Sequence, residues 1–285
     1  MKKLHGTGFE INDIYAGKIL SDLVIVGSSR AEVQFSPAII DSVLNVNSYN
    51  IGQSATDYTG QIGLYNIYKE RNGKPEYIIH QVDDLFGKKS CLYDLASYFP
   101  YLTDTVVSNL TKQYDDLHWL DYHNPITKYW QQKVIFSGWT EVLTNRAVFD
   151  TIKYKGYYGS ESEWDDSFVR YKKKYPDGVI IEMNEEIISE MREYISKAEQ
   201  DSIKIALVFA PQYIEYQQMV LNRQDVIDFW SNLAKETDVL FLDYTPDSIS
   251  YDKQYFYNSQ HMNKKGAELF SRKLAEDLKK YNFVP

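Results

Sequence analysis

Short apolar runs that end at a glycine or a polar turn alternate with helical patterns along the first third of the chain. The first run covers residues 22–26, is rich in β-branched residues and stops at Gly27. Such a run is typical of a buried strand in a parallel sheet. Further strands are predicted over 46–52 and 76–81, and helices over 32–44 and 56–71. This order indicates right-handed βαβ units.

The same alternation returns in the last third of the chain. Strands are predicted over 203–209 and 239–243, and helices from Asn184, over 224–235 and over 263–280. We therefore predict an α/β fold, a three-layer α/β/α sandwich with a five-stranded parallel sheet.

Between about residues 85 and 180 the alternation breaks, and this region is rich in tryptophan and tyrosine. Helices are predicted over 108–120 and 126–135, and a long loop or small hairpin over 153–177. We interpret the region as a helical and loop insertion on one domain, 1–285, whose faces help to wall a site.

Composition narrows the classes of function. The net charge of −9 argues against general nucleic-acid binding, which needs a basic surface. No apolar stretch approaches the roughly 18 residues of a membrane span, and the first residues lack the apolar core of a signal peptide. As written, the chain is expected to be soluble and cytoplasmic. The one cysteine, Cys91, excludes an internal disulfide.

Cofactors are not expected. No pair of histidines or cysteines has metal-ligand spacing, and neither a phosphate loop nor a Gly-x-Gly-x-x-Gly turn is present.

Two polar loops carry candidate chemistry. Ser28 and Ser29 follow the first strand, so they lie at the carboxyl edge of the sheet, where open α/β sheets bind ligands. A serine there serves as a nucleophile or as a helix cap. His261 precedes the last helix on a loop that leaves the same edge. Facing Ser29, it would be positioned to take the hydroxyl proton as a general base.

These blocks resemble those of the SGNH hydrolases, also called GDSL-type esterases. Gly27-Ser28-Ser29 matches the family's first block, with Ser28 where many members have Asp, and the resemblance makes Ser29 the nucleophile. The Gly-Ser-Ser-Arg form is similar to a branch found among bacterial surface-polysaccharide and acyl-transfer proteins. Gly52 matches the second block, whose N–H helps to bind the oxyanion together with the N–H of the nucleophile. His261 matches the histidine of the fifth block.

Two positions depart from the family pattern. Asp83 stands where the third block has an oxyanion-binding Asn, and an ionised carboxylate only accepts hydrogen bonds. Gln81 would replace that donor if its amide pointed into the site. Asn258 stands where the triad acid is expected, and an amide neither fixes the histidine tautomer well nor stabilises imidazolium. Either another acid, Asp252 or Asp243, reaches His261, or the site is a Ser–His dyad, or it is impaired and serves binding.

The predicted function is that of a serine esterase or deacylase acting on a small O-acyl ester, with an O-acetylated carbohydrate as the substrate class. The resemblance and the 25 tyrosines, whose faces suit sugars, support this substrate. Arg30, next to the nucleophile, either recognises an anionic or carbonyl group of the substrate or forms an ion pair. Two alternatives stay open: acyl transfer to a sugar hydroxyl by the same residues, and a binding protein on a degenerate hydrolase fold.

Overall fold

Five strands form one parallel sheet in the computed structural model, which describes residues 9–84, 86–87, 92–124, 127 and 153–284. The strands are β1 Leu23–Val26, β2 Ser48–Asn50, β3 Tyr77–Val82, β4 Lys204–Phe209 and β5 Leu240–Asp243. Their order is β2-β1-β3-β4-β5, and all neighbouring pairs are parallel. This is the flavodoxin-like doubly wound order. The predicted five-stranded parallel sheet is confirmed.

Helices cover both faces of the sheet. They are α1 Phe9–Tyr15, α2 Ser29–Gln34, α3 Pro37–Leu44, α4 Tyr58–Asn72, α5 Thr105–Thr111, α6 Trp119–His123, α7 Ser167–Lys174, α8 Glu185–Gln200, α9 Ile214–Met219, α10 Arg223–Glu236 and α11 Lys264–Lys280. Three short 3₁₀ turns are Leu95–Tyr101, Ser248–Tyr251 and Lys253–Tyr255.

Successive strand residues point into two separate hydrophobic cores. Val24 and Ile78 pack with apolar residues of α1, α4, α8 and α10, whereas Ile25 and Ile79 pack with those of α2, α3 and α11. All four side chains are fully buried. Burial on both faces explains why the strands read as continuous apolar runs rather than alternating ones, and it confirms the three layers.

Several predicted element bounds need correction. The helix predicted over 32–44 is two helices, because the chain is extended at Phe35 and Ser36 and restarts with Pro37 in the first turn of α3. Proline fixes the φ angle that a first helical turn needs but lacks the N–H required further along a helix. The helix predicted over 108–120 is replaced by α5 and α6, and the segment 153–177 contains α7.

The insertion predicted over about 85–180 stays a prediction, as does the single domain 1–285. The helix predicted over 126–135 lies outside the described residues except for Thr127, and Cys91 lies outside them. Within the described ranges, no helix has both the length and the apolar character needed to cross a membrane.

Candidate active site

The carboxyl edge of the sheet brings the loop after β1 together with the loop before α11. β1 lies between β2 and β3 in the sheet. The chain passes from β1 to β2 on one side and then to β3 on the other, and doubly wound sheets open a crevice where the strand order reverses in this way. The loop after β5 crosses this edge because α11 packs on α2 and α3, beneath β1. As a result, Ser29 and His261, 232 residues apart, lie within hydrogen-bonding distance.

Ser29 and His261 form the centre of the candidate site. Ser29 Oγ lies 2.7 Å from His261 Nε2, which is within the range expected of a nucleophile and its general base. Both residues keep part of their surface exposed. Ser29 is the first residue of α2, so the backbone at the start of the helix fixes the direction of its side chain.

Asn258 fixes the tautomer of the histidine. Its Oδ1 accepts the backbone N–H groups of Gln260 at 3.0 Å and His261 at 2.9 Å, which identifies this atom as the oxygen rather than the nitrogen of the amide. The same Oδ1 lies 3.0 Å from His261 Nδ1, which must therefore carry the proton. Nε2 is then the free acceptor that faces Ser29. The expectation that an amide fixes the tautomer poorly is thus wrong for Asn258, although the amide still adds no negative charge.

The other two candidate acids are engaged elsewhere. Asp252 accepts the N–H of Gln254 at 3.0 Å and caps the turn that begins at Lys253. Asp243 accepts the N–H of Thr245 at 2.9 Å. The single hydrogen of His261 Nδ1 is directed at Asn258, so the structure favours the amide over either carboxylate as its partner.

Ser28 is the helix cap that the sequence left as an alternative. Its Oγ accepts the N–H of Arg30 at 3.3 Å and lies 2.9 Å from Gln81 Oε1 and 3.1 Å from Asp83 Oδ2. The residue is buried. Of the two adjacent serines, one therefore stabilises the start of α2, and the other faces the histidine.

Gln81 and Asp83 are buried in the interior, where both contact Ser28. Gln81 Oε1 accepts the N–H of Ser28 at 3.1 Å, and its Nε2 donates to Asp83 Oδ2 at 3.1 Å. Both residues are almost fully buried. Within the described part of the chain, neither makes a hydrogen bond with Ser29. Gln81 therefore does not meet the condition under which it would replace the missing donor.

Gly52 is held close to α2 rather than left open. Its N–H donates to Asn50 Oδ1 at 2.8 Å, so the predicted oxyanion donor already has a partner. A Cβ at this position would lie 2.6 Å from the backbone nitrogen of Glu32 and 2.7 Å from Ala31 Cβ. Glycine is required here because the loop after β2 packs directly against the first turn of α2.

Arg30 forms a buried ion pair. Its Nη2 lies 2.9 Å from Asp84 Oδ1, and both side chains are almost fully buried. The same Nη2 donates to Gln260 Oε1 at 3.0 Å. Of the two readings of Arg30, the ion pair is the one that the structure shows, and the guanidinium is not accessible to a substrate.

The surroundings of His261 keep its ring neutral. Burial and, to a smaller extent, the charge of Arg30 lower the pKa of His261 to about 3, and Asp165 acts in the opposite direction. The ring of Tyr257 stacks on the imidazole, with centroids 5.5 Å apart and planes at 14°. A neutral imidazole is the form that accepts a proton from a hydroxyl.

Sequence reasoning missed Tyr257, Gln260 and Asp165 as neighbours of the histidine. Tyr257 and Gln260 lie within four positions of His261, which was the available signal. Asp165 approaches from the region before α7, where its N–H donates to the carbonyl of Tyr257 at 2.8 Å, and no local pattern indicates this contact. Among the described residues, no group of three or more His, Cys, Asp or Glu side chains is arranged to hold a metal ion.

Three sequence blocks now lie together at one edge of a doubly wound parallel sheet. Ser29 follows β1, Gly52 follows β2, and His261 precedes the last helix. The chain has the doubly wound three-layer α/β/α fold that the resemblance to the SGNH hydrolases implies. Ser29 and His261 lie where the resemblance to the SGNH hydrolases places them, whereas Gln81, Asp83 and the Gly52 N–H make internal contacts.

Comparison with solved structures finds similarity over most of the chain at low sequence identity. A protein from Desulfitobacterium hafniense assigned to the G-D-S-L family of lipolytic proteins is 13% identical, with 89% of this chain and 97% of that chain covered and a TM-score of 0.45. One from Bacteroides fragilis, assigned as an acylhydrolase, is 10% identical, with 98% and 99% covered and a TM-score of 0.47. A variant of a Geobacillus acetyl-xylooligosaccharide esterase is 14% identical, with 94% and 97% covered and a TM-score of 0.43. No protein-family model matches the sequence, and no curated protein matches it.

Proposed function

We propose that this chain is a serine-dependent ester hydrolase of the SGNH type, with Ser29 as nucleophile and His261 as general base. The observation that carries the proposal is the line of contacts from Ser29 Oγ to His261 Nε2 at 2.7 Å and from His261 Nδ1 to Asn258 Oδ1 at 3.0 Å. A hydroxyl, a neutral imidazole and a group that orients the imidazole are the parts that nucleophilic catalysis requires.

The reaction follows from these positions. Ser29 Oγ attacks the acyl carbon while its proton moves to His261 Nε2, and the electrons of the carbonyl double bond move to the oxygen. When the tetrahedral intermediate collapses, the bond to the alcohol oxygen breaks, and that oxygen takes the proton from Nε2. Water then attacks the acyl-enzyme with His261 again as base, which releases the acid and restores Ser29.

The oxyanion is stabilised first by the backbone of Ser29. Among the described residues, the N–H of Ser29 has no hydrogen-bond partner. The N–H of Gly52 serves as a second oxyanion donor only when it gives up its hydrogen bond to Asn50 Oδ1, which is 2.8 Å long. Removal of a single oxyanion donor lowers turnover by about 10²–10³-fold in another hydrolase. The proposed enzyme is therefore a slow one in the absence of further donors.

The proposed substrate is a small O-acyl ester of a carbohydrate, such as an acetyl ester. Aromatic side chains support this class: Tyr257 stacks beside His261, and Trp164 packs edge-on against Tyr213 with centroids 4.9 Å apart. Tyr257 and Trp164 are partly exposed. Flat apolar faces with a polar edge suit the apolar face of a sugar ring.

Turnover of p-nitrophenyl acetate and of acetylated oligosaccharides tests the proposal. We expect release of acetate by the wild type and loss of release in Ser29→Ala and His261→Ala, with Asp252→Asn as a matched loop control that keeps activity. Turnover that persists in Ser29→Ala contradicts the proposal. Acetate appearing on an added sugar rather than in water identifies acyl transfer, and tight sugar binding without any turnover identifies a binding protein.

A further inference from the structure

Besides the Ser29–His261 contact, helix α2 makes further hydrogen bonds with the loop of residues 257–261 that carries the histidine. Arg30 Nη2 donates to the Gln260 side chain at 3.0 Å, and Gln34 Nε2 donates to the Gln260 carbonyl at 3.4 Å. Gln260 immediately precedes His261. The orientation of the imidazole toward Ser29 therefore depends on how firmly α2 holds Gln260.

Arg30 pairs with two buried carboxylates, of which Asp84 is the nearer and Asp83 the more distant. Asp84 accepts from Arg30 at 2.9 Å but also from the hydroxyl of Tyr216 at 3.1 Å. Arg30 Nη1 is buried with no hydrogen-bond partner among the described residues, and Asp83 Oδ2 lies 3.9 Å away. Because the residue is 1% exposed, water does not screen this charge.

We propose that Arg30 is a positioning residue of the candidate site, which holds the His261 loop through Gln260 and places a positive charge beside that loop. The proposal concerns the activity only if the proposed function holds, whereas its effect on the imidazole does not depend on turnover. A substrate cannot reach the buried guanidinium of Arg30. The positioning role therefore explains why an arginine stands next to the proposed nucleophile.

The groups that face His261 come from three elements. Arg30 and Ser29 approach from α2, Asp165 approaches from the segment before α7, and Tyr257 and Asn258 belong to the histidine's own loop. Arg30 opposes protonation of the ring, and Asp165 favours it. Removing the arginine charge therefore raises the pKa of His261, and removing only the bond to Gln260 leaves that pKa in place.

Two variants separate the charge from the hydrogen bond. The double variant Arg30→Met/Asp84→Asn removes the charge together with its nearer carboxylate partner. Asp83, which lies 3.9 Å from Arg30, keeps its hydrogen bonds from Ser28 and Gln81. Gln260→Ala removes the bond to the loop and keeps the Arg30–Asp84 pair. Arg192→Met/Glu236→Gln removes an exposed ion pair of 2.8 Å on α8 and α10 and serves as the matched control.

Imidazole NMR titration measures the charge effect directly. We expect the His261 ring to stay neutral down to about pH 5 in the wild type, in Gln260→Ala and in the control, and its pKa to rise by about one unit or more in the Arg30 double variant. An unchanged His261 titration in a folded double variant overturns the charge role, whether or not the protein turns over esters.

Turnover measures the positioning effect. We expect kcat/KM of Gln260→Ala to fall by about 10²-fold with an unchanged pH midpoint, since a small displacement of a catalytic group has a cost of this size. In the Arg30 double variant, the acid limb of the pH profile moves to higher pH. Wild-type kcat/KM in Gln260→Ala overturns the positioning role. Absence of turnover in the wild type itself counts against the proposed function and leaves the NMR result to decide the proposal.

Discussion

Asn258→Asp is predicted to increase turnover. The substitution keeps the acceptor that Asn258 Oδ1 offers to the N–H groups of Gln260 and His261 and to His261 Nδ1, all at 2.9–3.0 Å. It adds a negative charge beside the ring that becomes imidazolium during attack. In the structure the tautomer is already correct, so charge is the one property of a triad acid that the amide lacks.

The size of the gain follows from the distance. Two unit charges about 4 Å apart interact by roughly 4 kcal/mol at an effective dielectric constant of about 20. Solvent at the partly exposed site reduces this value, so we expect a rise in kcat of about 10²-fold, less than the roughly 10⁴-fold difference between acid and amide in a serine protease where the amide also selects the wrong tautomer. The new charge also raises the pKa of His261 from about 3.

The assay is the pH profile of p-nitrophenyl acetate hydrolysis for the wild type, Asn258→Asp and Asn258→Ala. Activity falls when His261, the base, becomes protonated, so a raised pKa of His261 moves the acid limb of the profile to higher pH. The plateau at higher pH rises in Asn258→Asp because the new charge stabilises the imidazolium. Asn258→Ala removes the acceptor and should lower the plateau. If Asn258→Asp leaves the plateau at the wild-type value, the reasoning about the imidazolium is refuted, and if Asn258→Ala also matches the wild type, Asn258 has no role in the site.

Three further predictions concern stability and the loop after β2. Ser28→Ala should lower the free energy of unfolding by about 1–2 kcal/mol, measured by urea denaturation, because it removes the cap of α2 and a buried partner of Gln81; an unchanged midpoint would contradict this. Burial lowers the pKa of His80 to about 3, so the free energy of unfolding should fall as the pH drops from about 6.5 toward 3. His80→Gln should make this fall smaller when unfolding is measured at a series of pH values. The same pH dependence in both proteins would contradict this prediction. Gly52→Ala should lower both the melting temperature and kcat, because its Cβ would lie 2.6 Å from the backbone nitrogen of Glu32, and wild-type values for both would show that the loop yields without strain.

The sequence predicted the features that depend on regular patterns. Ser29 and His261 could be paired from the sequence because Ser29 follows a predicted strand and His261 precedes a predicted helix. Both of their loops leave the same edge of the sheet. The short helices α1 and α9 carry too few residues for a helical stripe to stand out, and neither was predicted.

Details of the site depend on single hydrogen bonds that no pattern reveals. The orientation of the Asn258 amide is fixed by two backbone N–H groups of its own turn. The Gly52 N–H is taken by Asn50, two residues earlier. The sequence left Arg30 as either a substrate contact or a member of an ion pair, and it did not indicate Asp84, 54 residues away, as the acceptor in the interior. Such contacts follow from the packing of distant elements, which is why the alternatives for these residues stayed open until the structure was known.

Covalent labelling of Ser29 tests the central claim most directly. The wild-type protein would be treated with a fluorophosphonate, and the modified residue would be located by mass spectrometry of its peptides. The Ser29–His261 contact of 2.7 Å predicts one modification, at Ser29, that disappears in Ser29→Ala and slows strongly in His261→Ala. A folded wild-type protein that stays unlabelled, or one labelled at another residue, would contradict the account of Ser29 as an activated nucleophile.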